Sequence, residues 1–338
     1  MNRRLWLRKE RTVPRIMVDA VAALAALSLL PLVYYGPRVA VLLLSGVLGA
    51  SAAEGARFFL FRRRAVRFNG SAVVTGMITA LLLPANAPVW LPAAGALFGV
   101  AVGKLPVRRG GCNILNPAAV GIAFLTACWP ERVFGYCLPQ RLPLLQDCQV
   151  TLVLSPGAFL KEGMKPEILP YELLWGQYPG PMGTVFAVVI AACALFLILR
   201  GNIRWYVPAV FLGTAAVAAA LFPRFVLSPL ASVKYELLSG SLFFCAVFMM
   251  TDPVTSPRTR AGMLCFAALG GASVMLLRWF GPYEEGVCFA VLFGNLLTPL
   301  LDGAVCVLRE KRFRKKRSKK AEKETEPSVP AEPAEPAV

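Results

Sequence analysis

Four polar side chains stand next to prolines in stretches that are otherwise apolar: Asn113 and Asn116 before Pro117, and Asn295 and Thr298 before Pro299. An amide donates and accepts at once, so such a set can meet the mixed edges of a heteroaromatic ring. It can equally tie two helices together. A second group is Thr251-Asp252-Pro253-Val254-Thr255-Ser256-Pro257, directly after Phe248-Met249-Met250. Burying a carboxylate in lipid costs about 2.5–3.5 kcal/mol even on lenient scales, and the two prolines withhold two backbone donors. Asp252, Thr255 and Ser256 could therefore line an ion path or grip a polar ligand edge. The alternative is a helix-end turn with Asp252 in water. There is no histidine, and the nine cysteines form no CxxC pair, which argues against zinc and Cys-ligated iron–sulfur sites in this chain. Cys137 and Cys148 share one long loop and could pair. Asp19, Glu54 and Arg57 also sit in apolar runs. Glu54 and Arg57, three apart, read as a pair on one helical face.

The elements that must position these groups are apolar. Of 338 residues 57% are hydrophobic and 16% charged, with a mean hydropathy of +0.61, a balance that fits a chain dissolved largely in lipid. Ten apolar segments run over about 15–36, 38–61, 71–84, 88–103, 115–129, 183–199, 204–222, 237–250, 261–279 and 285–308. With the N-terminus inside, 27 Lys/Arg fall in inside segments and 8 outside, as the positive-inside rule requires of ten crossings with both ends cytoplasmic. The first segment is longer than a signal-peptide core and has no clear cleavage site, so it reads as a retained helix. The net charge of +17 is dispersed between apolar runs and at the ends rather than on one face, which argues against nucleic-acid binding. Residues 130–182 form a long Pro- and Gly-rich outer loop. Residues 309–338, basic and then rich in Glu, Pro and Ala, read as a disordered cytoplasmic tail on anionic headgroups.

The membrane domain, residues 1–308, contains a duplication. Asn113-Ile-Leu-Asn-Pro-Ala-Ala-Val-Gly121 parallels Asn295-Leu-Leu-Thr-Pro-Leu-Leu-Asp-Gly303. Gly70-Ser71 opens a short run ending at Pro84, as Gly240-Ser241 opens one ending at Pro253. The paired features are offset by five segments, an odd number, so equivalent helices cross in opposite directions. The expected fold is an all-α polytopic membrane protein: about ten transmembrane helices as a 5+5 inverted repeat with broken helices, repeat one about 15–129 and repeat two about 183–308.

These stretches resemble the D-type component of the Rnf electron-transport complex and, more distantly, the B-type component of the sodium-pumping NADH:quinone reductase. The resemblance rests on Asn69 to Pro84, Gly103-Lys104 through Gly121, Leu237 to Ser241, the Thr251–Thr259 loop, and Gly281-Pro-Tyr-Glu-Glu-Gly286 through Asp302. It implies a multi-pass protein of a bacterial cytoplasmic (inner) membrane, partnered by the Rnf-type subunits of the A, B, C, E and G types. The complex would move electrons between ferredoxin and NAD and couple them to Na+ or H+ movement. It also implies an FMN joined by phosphoester in the outer loop. Ser155-Pro156, set by the spacing to Leu160-Lys161-Glu162-Gly163, stands where the family has Thr-Pro, and Thr151 is one position off the pattern. Glu236 stands where the family often has histidine. A second flavin, riboflavin or another, could lie near Asn113, Asn116, Asn295 and Thr298. Two other readings remain: an inverted-repeat transporter or channel for a small polar solute, and a structural component without covalent flavin.

Overall fold

The computed structural model describes residues 13–60, 70–104, 113–145, 150–224 and 228–325. Among these residues fourteen helices follow in order: α1 (Val13–Tyr35), α2 (Arg38–Leu60), α3 (Ser71–Leu81), α4 (Trp90–Gly103), α5 (Pro117–Cys128), α6 (Pro130–Val133), α7 (Pro156–Lys161), α8 (Pro170–Trp175), α9 (Ala187–Leu199), α10 (Tyr206–Leu221), α11 (Pro229–Leu238), α12 (Leu242–Phe248), α13 (Arg260–Phe280) and α14 (Val287–Thr325). The described residues form no strand beyond a single bridge, Tyr136 to Val153. Proline places many of the starts: Pro117, Pro130, Pro156, Pro170 and Pro229 each open a helix, where the missing N–H is not needed.

Every apolar segment of the sequence contains a helix, but not every helix is long enough to span alone. Four helices qualify by length and composition: α1, α2, α13 and the first part of α14. A fifth span arises if α11 and α12, bent by 57° at a short break, are taken together. The remaining apolar helices, α3, α4, α5, α9 and α10, have 10–17 residues. Large apolar side chains such as Leu48, Leu199, Leu221, Leu276 and Leu300 point outward, as they do when the surrounding solvent is lipid.

Four helix contacts recur in the two halves. In the first, α2 lies on α3 and α4, α4 on α5, and α1 on α3; in the second, α10 lies on α11, α12 and α13, α13 on α14, and α9 on α12. The halves meet through α1 against α9 and α5 against α14. One continuous core joins them, with Leu24, Leu81, Ile190, Phe211, Phe244 and Phe266 almost fully buried. The tightest contacts are backbone on backbone. A methyl group built on Gly46 would lie 2.6 Å from the Gly76 carbonyl oxygen, so α2 and α3 touch only because both positions lack a side chain.

The C-terminal stretch departs from the sequence expectation of a disordered tail from residue 309. Helix α14 continues without a break to Thr325. Lys, Arg, Glu and Ala are good helix formers, which suits this continuation. Residues 326–338 lie outside the described residues.

Gly76→Val would force α2 and α3 apart. Overpacking of this kind costs about 1–3 kcal/mol, so the detergent-purified variant is expected to unfold several degrees earlier in a thermal melt. An unchanged melt would show that the close approach carries no weight.

Candidate functional site

Two short helices, α3 and α12, border the same two cavities with opposite ends. Each is introduced by a Gly-Ser pair in which the glycine takes a left-handed conformation, Gly70 at φ 72 and Gly240 at φ 74. A side chain there would be strained, so glycine lets the chain turn sharply into the helix. At one end of the pair, the first turns of α3 (Ser71, Val74, Thr75) and the last residues of α12 (Val247, Phe248) line a cavity of about 90 Å3. Its polar wall is Lys104, Asn113, Asn116, Asn202 and Asp252. At the other end, Leu82 beyond α3 and Ser241 before α12 face a smaller cavity of about 30 Å3, with Tyr136, Glu285 and Cys288.

An ion cluster grips the serine at the start of each short helix. Lys104 caps the end of α4. Its Nζ donates to Glu54 Oε1 of α2 at 3.0 Å and to Ser71 Oγ at 2.7 Å, with both charged side chains 4% exposed. Glu54 takes its direct hydrogen bond from Lys104 rather than from Arg57, which donates to the Lys104 carbonyl oxygen and interacts with the Glu54 charge at longer range. Helical neighbours three apart are only one option when another helix brings a cation to the same carboxylate. At the opposite end the Glu285 carboxylate accepts from the Ser241 backbone N–H and hydroxyl, and also pairs with Arg278. Arg278 in turn binds Glu236 at 2.9 Å, and Arg224 holds the same carboxylate at 2.5 Å. Glu236 is thus a buried counter-ion between two arginines.

The amides divide between wall and brace. Asn116 caps α5 by accepting from the N–H groups of Ala118 and Ala119, and its own N–H donates to Asn295 Oδ1 at 2.9 Å. Asn295 Nδ2 and Thr298 Oγ1 both donate to the Thr255 carbonyl oxygen. Asn295 and Thr298 therefore fasten α14 to α5 and to the 251–257 loop, while Asn113 and Asn116 face the cavity. Asp252 also faces the cavity. Its carboxylate accepts from the Val254 N–H at 3.2 Å and the Thr255 hydroxyl at 2.9 Å, and its carbonyl oxygen accepts from Ser256. Thr255 and Ser256 thus shape the turn. Asp19 binds Arg200 and Asn202, which joins α1 to the end of α9. Cys137 is buried, and Cys148 lies outside the described residues.

The long loop folds back onto the end of the molecule that carries Ser241. Ser155 begins α7, accepts from the Ala158 N–H at 3.0 Å, and donates to Glu284 Oε2 at 2.5 Å. Its exposure is 6%, whereas Thr151 is exposed. Glu284 lies in the short turn between α13 and α14. Burial raises its carboxyl from 4.5 to about 7 and neighbouring Glu285 adds to the rise, while hydrogen bonds from Ser155 and Tyr136 hold it down. Its second oxygen, Oε1, is buried with no hydrogen-bond partner.

Several of these groups escape sequence reading. Lys104, Arg278 and Glu284 look like loop charges, and Arg38 counts as an outer-loop residue. Arg38 is in fact fully buried and donates to the carbonyl oxygens of Ala85, Ala87 and Pro143. Asp302 receives the Thr259 hydroxyl and the N–H groups of Arg258 and Thr259, which fixes the start of α13 on α14.

The model of the NQR2, RnfD, RnfE family matches residues 1–310. The chain belongs to this family. Among its relatives, the D component of the Na(+)-translocating ferredoxin:NAD(+) oxidoreductase complex of Acetobacterium woodii is 31% identical, covering 88% of this chain and 90% of that protein. The D component of the proton-translocating ferredoxin:NAD(+) oxidoreductase complex of Clostridium ljungdahlii is 27% identical over 88% of this chain and 91% of its own length. The D component of the ion-translocating oxidoreductase complex of Cronobacter sakazakii is 31% identical over 88% and 94%. The two central clusters of this family member fall within the matched residues.

Two outcomes test this geometry. Lys104→Met leaves Glu54 buried without its cation, which costs about 3–5 kcal/mol; the added change Glu54→Gln is expected to restore part of the thermal stability, and strictly additive losses would show that the two side chains do not interact. At the other end, the folded-state value of Glu284, about 7, lies above its ordinary 4.5. Its stabilising effect is therefore complete below about pH 4.5 and is lost as pH rises through about 7. Glu284→Gln should flatten the fall in melting temperature between about pH 5 and about pH 8; an identical slope would show that another group governs it.

Proposed function

We propose that this chain is the D-type membrane component of an Rnf-type ion-translocating electron-transport complex, in a bacterial cytoplasmic (inner) membrane with both ends on the cytoplasmic side. The observation that carries the reading is membership of the family over residues 1–310, with relatives of nearly equal length that bear this component's name. Its partners are the other Rnf-type subunits, of the A, B, C, E and G types. Electrons pass between ferredoxin and NAD, and their flow drives Na+ or H+ across the membrane. This chain contributes a membrane scaffold and flavin sites to that translocase.

On this reading ten helices cross the membrane as a 5+5 inverted repeat, with α1, α2, α3, α4 and α5 equivalent to α9, α10, the bent α11–α12 pair, α13 and α14. The helix contacts that recur in the two halves support it, as do the short helices with their paired Gly-Ser starts. The Lys104 end then faces the cytoplasm and the Ser241 end faces outward.

Ser155 is the acceptor of an FMN phosphoester on the outer side. Ser155 supplies the hydroxyl a phosphoester needs; it is 6% exposed and bonded to Glu284, so attachment requires the start of α7 to come away from that carboxylate. When bound, the flavin would supply one-electron transfer, and the protein's task is to hold it and exclude water. Ser155 would anchor it. The cavity at the cytoplasmic end is the site for a second flavin, riboflavin or another. Its amides, Lys104 and Asp252 match the mixed edge of a flavin ring. Its volume of about 90 Å3 is below the ~300–1,000 Å3 of ordinary ligand sites, so binding requires α3 and α12 to part at that end.

The test is ultraviolet fluorescence of the denatured protein band after co-expression with a flavin transferase. Wild type and Thr151→Ala are expected to fluoresce and Ser155→Ala to be dark. A dark wild type, or a fluorescent Ser155→Ala, would overturn the assignment of FMN to Ser155.

A further inference from the structure

We infer that the outer loop has two states at the start of α7, an inference that rests on Ser155 being the acceptor. In the seated state, the one described here, α7 lies on the 281–286 turn and shuts Ser155 away. In the lifted state Ser155 is open to a flavin transferase. Seating and flavin attachment exclude each other, so a chain that carries the flavin stays lifted.

The residues around the seated serine do not fit the group it would carry. Its hydroxyl donates to Glu284 Oε2 at 2.5 Å and accepts from the Ala158 N–H at 3.0 Å, so the oxygen that would bond phosphorus already holds two partners. Neither cavity of the site is lined by Ser155. A Cβ built on Gly157 would lie 3.5 Å from the hydroxyl and 3.8 Å from Glu284 Cβ, so the α7 backbone itself is packed on both. A phosphodiester brings a negative charge, and the side chains beside it would be carboxylates: Glu284, with Glu285 next in the turn. Like charges pressed together disrupt a contact rather than make one. The seated state therefore suits the free hydroxyl and not its phosphoester.

The chain is built so that this short stretch lifts alone. Val153 is fixed by its bridge to Tyr136, where its N–H donates to the Tyr136 carbonyl oxygen at 2.9 Å. Leu160 is fixed in the apolar core, and Lys161 is tied to the Pro282 carbonyl oxygen. Between these points, over residues 154–159, only Ser155 and Pro156 are buried. Leu154 is exposed and Gly157 has no side chain to hold it down. The turn keeps its place without the serine. Tyr283 stacks between Phe134 and Phe289, and Glu285 is held by Arg278 and Ser241. The Ser155–Glu284 bond is thus a latch between a light, liftable segment and a fixed turn.

The 3.8 Å between the Cβ positions of 157 and 284 is the spacing of a disulfide, which allows the seated state to be locked. The full-length chain is purified without flavin carrying Gly157→Cys and Glu284→Cys together, with each single variant as a control for the native cysteines. Locking is read by mass spectrometry as the cross-linked 157–284 peptide. Labelling by a flavin transferase with Mg2+ and flavin adenine dinucleotide is read as in-gel fluorescence against time. The expected result is that the oxidised pair stays dark, the reduced pair labels, and protein labelled first no longer cross-links. Glu284→Ala, which removes the latch without adding a thiol, is expected to label about 10–100-fold faster than wild type, the worth of one hydrogen bond to a charged group. Equal labelling of the locked and reduced pair, cross-linking that survives labelling, or a Glu284→Ala rate no faster than wild type would overturn the two-state latch and leave Ser155 as acceptor. Labelling of Ser155→Ala, or a chain dark in every form, would overturn the acceptor and the latch together.

Discussion

A polar group enclosed by lipid-facing helices has no water to turn to, so it must find its partner inside the protein. The Lys104–Glu54 pair and the Arg224–Glu236–Arg278–Glu285 chain meet that requirement at opposite ends of the molecule. Both end on the serine that follows a left-handed glycine at the start of a short helix. The central helices are only 11 and 7 residues long, so their own backbone bonding stabilises them little. Their position depends on being held at the serine end by charge and along their length by apolar packing. Removing one member of either cluster would leave its partner's charge buried and unpaired.

This arrangement also explains where the cavities lie. Because α3 and α12 are short and reach the two cavities with opposite ends, space remains beyond the end of each, next to the start of the other. The larger space collects the conspicuous polar residues of the chain, Asn113, Asn116 and Asp252, with Lys104 between them and the ion pair. The smaller lies under the turn that carries Glu284 and Glu285. The long loop closes over that end and brings Ser155 to Glu284, 129 positions away in the chain. A loop residue and a turn residue thereby form one chemical unit, seated on the Arg278 cluster below.

The hydroxyl and amide motifs prove to have two kinds of work. Asn295, Thr298, Thr255 and Ser256 spend their hydrogen bonds on the protein itself, fastening α14 and shaping the 251–257 turn. Asn113, Asn116 and Asp252 reach the cavity wall as well. Residue type alone does not separate the two roles, because an amide that braces a helix and an amide that meets a ligand use the same atoms.

Much of the helical framework is legible in the amino-acid sequence. Apolar runs mark where the chain must satisfy its backbone internally, and Pro117, Pro156 and Pro229 mark starts because a proline nitrogen needs no partner there. Gly70-Ser71 and Gly240-Ser241 announce the paired short helices, since few residues other than glycine tolerate the turn. Asn113 and Asn116 stand out by type beside a proline, whereas Ser155 is marked only by the resemblance to the family. What the sequence could not settle is which charge meets which. Glu54 has Arg57 one turn away yet binds Lys104, fifty residues on, and Arg38, a loop charge by position, is buried against three carbonyl oxygens. Local spacing reports only neighbours on one helix. The partner of a buried charge is chosen by the crossing of helices distant in the chain, and that choice belongs to the tertiary structure.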